Sequence, residues 1–230
     1  MSAKVVLDEL DLLDSLVDLK HCPRIIELGC GAAKLSRDLL ARFPACDVTG
    51  LEVDERQHAK NILMPRQGLH FVQAGAQAIP FDDGCFDLAM MLKSFHHVPL
   101  ELMAQALAQV HRVLRPRGLL YVSEPVFAGS LNEVMRIFHD EETVRAAALR
   151  ALRTAVASGA WEQVSETLFE TPVSYRDFAE FERRMIGVTF LEHRLDAATL
   201  QRVRERFEQN MAADGAHFVR PMRVNLLRRL

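Results

Sequence analysis

Two acids and two glycines stand out for their spacing. Ile25-Ile26-Glu27-Leu28 is a short apolar run interrupted by one acid, and Gly29-Cys30-Gly31 follows it directly. A helical pattern begins at about Lys34 and runs to Phe43, with Leu35, Leu39 and Leu40 on one face, before Pro44 stops it. This order predicts a strand, a tight glycine turn and a helix N-terminus. Glycine takes positive φ without a steric penalty and lets a ligand lie on the backbone. The helix start adds unpaired N–H groups and a positive dipole end. Such a loop suits a polar small molecule, although a strand-to-helix turn with no ligand would look the same. A dinucleotide loop would place a third glycine where Lys34 stands, and no phosphate-cradling Gly-x-x-x-x-Gly-Lys-Ser/Thr run is present.

The next element adds a second acid. Cys46-Asp47-Val48-Thr49-Gly50-Leu51-Glu52 reads as a β-branched strand ending in Glu52. An acid at the end of the strand beside a glycine loop is placed to take both hydroxyls of a ribose, and the interval from Gly31 is near the ~20 residues such a half-site needs. The alternative is that Glu52 caps the following helix, a task for which Asp54 is better suited. Further on, Phe86-Asp87-Leu88-Ala89-Met90-Met91-Leu92 is continuously apolar after its first acid. That pattern fits a central parallel strand buried on both faces. Lys93-Ser94-Phe95-His96-His97-Val98 then lies at its carboxyl edge, where open α/β sheets bind ligands.

Taken together, Glu-Leu-Gly-Cys-Gly at 27–31, Glu52, and Ile79-Pro80-Phe81-Asp82-Asp83-Gly84-Cys85-Phe86-Asp87 resemble the class I S-adenosylmethionine (SAM)-dependent methyltransferases. The branch is that of the ubiquinone and menaquinone methyltransferases. The resemblance covers residues 20–125 in motif and the rest in topology. It implies that Glu27, Gly29, Cys30 and Gly31 meet the amino-acid end of SAM and that Glu52 and Val53 meet its ribose. It also implies that Gly75, Ala76 and Gln77 lie at the adenine, and that Leu92, Lys93 and His97 line the cleft. One departure is visible. Gly75 stands where the family has an adenine-reading aspartate, and Gln77 where it has a glutamate. Should the acceptor have to lose a proton, His97, Glu124, His139 and Tyr175 are the candidate bases.

The remaining chain supplies the frame. Leu7–Lys20 predicts an amphipathic lead-in helix. Strand–helix alternation to a fifth strand at 119–123 implies an α/β, Rossmann-like sheet of seven mostly parallel strands, with helices on both faces and a helical insertion after strand five. The expected division is one domain over 1–230: a SAM-binding core at 1–125, a helical lid or substrate element at 126–160, and strands and helices completing the sheet at 161–230. Within it, Ser130 with Glu133 reads as a capping box, Asp140 as a helix cap, and Ser174 as the cap of a short helix. Pro221 suits a central strand poorly, so the last strand is expected to begin after it or to bulge there. The C-terminal arginines Arg202, Arg204, Arg206, Arg220 and Arg223 read as solvated faces, with the alternative that one or two meet an acidic substrate.

Composition sets the outer bounds. The chain has 230 residues, 49% hydrophobic and 26% charged, with a net charge of -3. That balance carries no broad basic footprint and argues against nucleic acid as partner. No apolar run approaches the ~20 residues of a membrane span. The N-terminal acids do not read as a signal peptide, and four cysteines without paired spacing suggest reduced thiols, a cytoplasmic location and no metal site. Expected, then, is a methyltransferase using SAM on a small-molecule acceptor. The rivals are a non-catalytic regulatory protein that retains the fold and a transferase using a SAM derivative.

Overall fold

Strands and helices alternate as the periodicities predict. The computed structural model describes residues 4–187 and 195–230. In chain order its elements are β1 (Lys4–Val5), α1 (Glu9–Leu16), β2 (Arg24–Leu28), α2 (Lys34–Arg42), β3 (Asp47–Glu52), α3 (Glu55–Ile62), β4 (Leu69–Gln73), β5 (Phe86–Leu92), α4 (Met103–Val113), β6 (Leu114–Pro125), α5 (Ser130–Met135), α6 (Glu142–Ala157), β7 (Trp161–Tyr175), α7 (Phe178–Phe181), α8 (Ala197–Glu208), β8 (Met211–Ala212) and β9 (Gly215–Arg229). They form two compact units. The larger comprises Asp8–Glu124, Ala146–Thr167 and Arg223–Leu230; the smaller comprises the N-terminal strand, Pro125–Arg145 and the described part of Leu168–Met222.

In the larger unit the strand order is the first half of β7, the second half of β9, then β6, β5, β2, β3 and β4. The pairings β2–β3, β2–β5, β3–β4 and β5–β6 are all parallel. The two-residue repeat of a strand puts Ile26, Leu28, Ala89, Met91, Leu120 and Val122 on one face, where they join Ala106, Leu107 and Val110 of α4 and Ala148 and Leu152 of α6 in one core. The opposite face of the same strands carries Glu27, Met90 and Tyr121 in one row, since Glu27 pairs with Met90 and Met90 with Tyr121. Asp87 anchors the start of β5. It is buried and takes both the Arg24 N–H and the Arg115 guanidinium, each at 2.8 Å. Register slips between Phe86 and Leu88, so Arg115–Gly118 loops out, and Arg117 adopts φ 64°.

In the smaller unit β1 runs parallel to the second half of β7, and β8 pairs antiparallel with the start of β9. Its core is aromatic: Tyr175, Phe178, Phe181, Phe207 and Phe218 pack mainly edge to face.

Several local expectations change. The expected lid segment divides, with 125–145 in the smaller unit and 146–167 in the larger. Ser130 begins α5 without capping it, because Gly129 occupies the cap position and no side chain bonds there. Ser174 lies inside β7, and Asp177 caps α7 by accepting from Glu180 N–H at 2.8 Å. Pro221 lies within β9, with its carbonyl accepting from Val126 N–H at 2.9 Å. Asp54 caps α3, accepting from the N–H groups of Arg56 and Gln57. That leaves Glu52 available for another task.

Candidate active site

The glycine loop joins β2 to α2 within the larger unit. Gly29 and Gly31 take φ 68° and 52°. At Gly29 a side chain has no room, since a Cβ would stand 2.8 Å from Ser94 Cβ. Ser94 itself donates its hydroxyl to the Leu28 carbonyl at 2.7 Å, tying the end of β5 to the loop. At Gly31 the space a Cβ would fill is open, with no atom within 4 Å. The loop is therefore closed on one side and bare on the other. Ala33 opens α2 at φ 53° and, as an alanine, offers no side-chain cap of its own.

Glu52 holds this loop in place. One carboxylate oxygen accepts from Gly31 N–H at 2.7 Å and the other from Asp54 N–H at 2.9 Å. A carboxylate offers about four acceptor positions, so lone pairs remain for ligand hydroxyls. Asn61 of α3 is the loop's second clamp. It is buried, donates to the Gly31 carbonyl at 2.7 Å, and is itself oriented by Gln57 at 2.9 Å. Cys30 packs inward over Gly50, where its Sγ would lie 2.9 Å from an added Cβ. Burial pushes its thiol pKa up, which makes it a packing residue in the free protein.

Glu27 is buried and accepts from the Ser36 hydroxyl of α2. Burial raises its pKa to about 7, against the Ser36 hydrogen bond and the nearby Lys93 ammonium, which favour the charge. Lys93 adopts φ 54° and bonds Glu9 of α1 at 3.1 Å. Beside them the second oxygen of Glu9 is enclosed without a hydrogen-bond partner among the described residues, and the Tyr121 and Ser123 hydroxyls are enclosed next to each other. Buried polar atoms in that state are costly unless something polar meets them.

At the expected adenine end, the Gln77 amide folds back over Gly75. Its atoms lie 2.5–2.8 Å from where a Cβ on Gly75 would be. Gln105 fixes this turn by donating to the Gln77 carbonyl at 2.9 Å. Ala76 turns into the core, Leu92 is half-buried at the strand end, and Val53 is exposed.

Of the four candidate bases, two lie in this unit. His97 is exposed and its ring sits 4.0 Å from that of His96. Glu124 is buried, and its oxygens accept from Phe95 N–H at 2.9 Å and bond His96 Nδ1. The other two belong to the smaller unit. His139 bonds Glu141 at 2.9 Å. Tyr175 is buried among the phenylalanines, and burial raises its hydroxyl pKa. Sequence reasoning chose His97 and passed over His96, Asn61, Ser36, Ser94 and Glu9. The His-His doublet and the helical spacing of Ser36 with Leu39 and Leu40 were the available signals.

Residues 26–122 match the family model described as a methyltransferase domain. That segment is similar to methyltransferase domains. The chain is also similar to curated proteins over part of its length. It is similar to the O-methyltransferase cnsE of Penicillium expansum, 35% identical over 44% of this chain and 38% of that protein. It is similar as well to the demethylmenaquinone methyltransferase of Chlorobaculum tepidum, 30% identical over 45% of this chain and 41% of that one. The chain spans about half the length, or less, of the curated relatives it matches. Among solved structures, the YcgJ protein of Bacillus subtilis superposes with TM-score 0.64 at 14% identity, covering 96% of this chain and 97% of that one. At that identity the likeness concerns the fold alone.

Proposed function

We propose that the chain is a SAM-dependent methyltransferase acting on a small-molecule acceptor. The observation that carries this is the glycine loop, bare at Gly31 and clamped by Glu52 and Asn61. The residues present fit SAM. Glu27 is a buried carboxylate whose ionised form lacks a full counter-charge, which an ammonium group would supply. The lone pairs left on Glu52 suit ribose hydroxyls. The Gln77 amide lies where the family reads adenine. SAM, when bound, supplies an electrophilic methyl on a sulfonium, so the chain's main task is to position the acceptor against it.

For an acceptor that loses a proton, the ring nitrogens at the carboxyl edge of β5 serve as base. Glu124 orients His96 there and stabilises its protonated form, as a carboxylate behind an imidazole does. His97 stands next to it at the exposed edge. Glu124, with both oxygens engaged, orients rather than accepts. That relatives are named for demethylmenaquinone and for sarcosine and dimethylglycine supports the acceptor class. Four free cysteines support a reducing, cytoplasmic setting. No helix among the described residues is long and apolar enough to cross a membrane.

Calorimetric titration with SAM and with its demethylated product tests the reading, together with mass spectrometry of any copurifying ligand. Micromolar binding of both is expected. No binding of either at high micromolar concentration overturns it. The regulatory alternative draws on Gly75, and tight SAM binding with no methyl transfer to any hydroxylated or amine acceptor would favour it.

A further inference from the structure

The smaller unit has a cavity of its own, of about 540 Å³, lined among others by Val173, Ser174, Tyr175, Arg184, Met185 and Arg220. That volume is in the range of small-molecule pockets. Its charges do not balance. Arg184 lies with its guanidinium carbon 4.9 Å from the centre of the Tyr175 ring and pairs with Glu180 at 3.1 Å. Arg145, close by, pairs with Glu141 at 2.5 Å and donates to Asn132 at 3.0 Å. Glu141 also takes His139 at 2.9 Å. Arg220, on β9, is half-buried and forms no ion pair with any described residue. Burial lowers its pKa, as do the neighbouring guanidiniums Arg145 and Arg184, while Tyr175 and Glu141 act in the opposite direction. A desolvated cation without an acid is held at a cost that a bound anion removes. The guanidinium fork matches the planar pair of oxygens on a carboxylate or phosphate. Around it Val173, Tyr175 and Met185 offer apolar surface for the body of a molecule.

We propose that this cavity binds an organic oxyanion, a carboxylate or phosphate group carried on an apolar body, with Arg220 as the fork and Arg184 as the second cation. The lining lies wholly within the smaller unit, and binding of an anion there can be tested without SAM or an acceptor.

The test titrates the full chain with benzoate, phenyl phosphate and benzyl alcohol, followed by calorimetry and by amide NMR. At least one anion should bind about tenfold or more tighter than benzyl alcohol. The amides of Val173, Ser174, Tyr175, Met185 and Arg220 should shift. The anion that binds tighter names the head group. Arg220→Met should abolish the preference while keeping the melting temperature at or above that of the parent, because an unmatched charge has been removed. Arg202→Met, exposed on α8, should leave the preference intact. Equal binding of the alcohol and both anions overturns the proposal. So does an Arg220→Met protein that keeps the preference, or amide shifts that fall elsewhere. Should Arg220→Met fail to fold, Arg184→Met and the NMR map of the parent decide: a retained preference in the first or shifts outside the cavity in the second overturn it.

Discussion

Both units pair buried carboxylates, Glu141 with Arg145 in the smaller among them, but the smaller also holds a cation that forms no such pair with any described residue. In the larger, the carboxylates of Glu27, Glu52, Asp87 and Glu124 are each met by donors from the chain: the Ser36 hydroxyl, the Gly31 and Asp54 N–H groups, Arg24 and Arg115, and Phe95 with His96. In the smaller, Arg220 is half-buried with no described acid in reach of a pair. A met charge organises the backbone that meets it. An unmet one leaves a demand for a ligand. The difference teaches which substitutions should weaken the fold and which should relieve it.

Glu27 offers the largest test, because it is the least well met of the acids. Its folded pKa, about 7, lies above its ordinary 4.5. The contribution to stability is therefore full below pH 4.5 and is lost as pH rises through about 7. Urea denaturation of the free protein should show stability falling over that window by roughly 3 kcal/mol more in the parent than in Glu27→Gln. Parallel profiles for the two proteins would break the picture of a carboxylate left short of counter-charge. SAM should flatten the parent's profile by supplying an ammonium partner.

Glu52→Ala comes next. It strands two backbone N–H groups and frees the loop, which should cost about 2 kcal/mol of stability by thermal denaturation. SAM affinity should fall more than tenfold in the same protein. Glu52→Gln, which can still accept from Gly31, should recover part of both. In contrast, Arg220→Met should raise the stability of the ligand-free protein by about 1 kcal/mol, since a desolvated and unpaired cation is removed. If the two substitutions moved stability in the same direction, the contrast between the units would fall. The smallest effect is expected at Arg117, a non-glycine residue held at φ 64°. Arg117→Gly should change stability by at most about 1 kcal/mol, upward, because glycine reaches that conformation without strain.

What the sequence showed and what it hid follow from the distance over which each residue acts. Glu27, Gly29 and Gly31 are consecutive, and Glu52 ends the neighbouring strand, so their order along the chain announced the loop and the parallel sheet. Asp54 announced itself as a cap by its place before α3. Asn61, Ser36 and Ser94 did not, because a polar residue on a helix face or past a strand end looks the same whether it points to solvent or to a carbonyl. His96 was passed over for its neighbour, since nothing local says which member of the doublet faces Glu124 from a strand 28 residues away. Arg220 read with the other C-terminal arginines as a solvated face or a partner for an acidic substrate, and only the packed structure shows it half-buried beside Arg145 and Arg184. Ser130 and Ser174 had the right chemistry for caps and were displaced by Gly129 and Asp177.

The Gln77 side chain resting over Gly75 has a consequence for which nucleobases the proposed cofactor site can tolerate. An aspartate in that place offers acceptors alone and so discriminates for a base that donates from its edge. A primary amide carries an acceptor and a donor at nearly identical positions, and a half-turn about its last bond exchanges them. Inosine- or purine-based analogues of the cofactor should therefore lose less affinity here than in relatives with the acid, and Gln77→Glu should restore the preference for adenine.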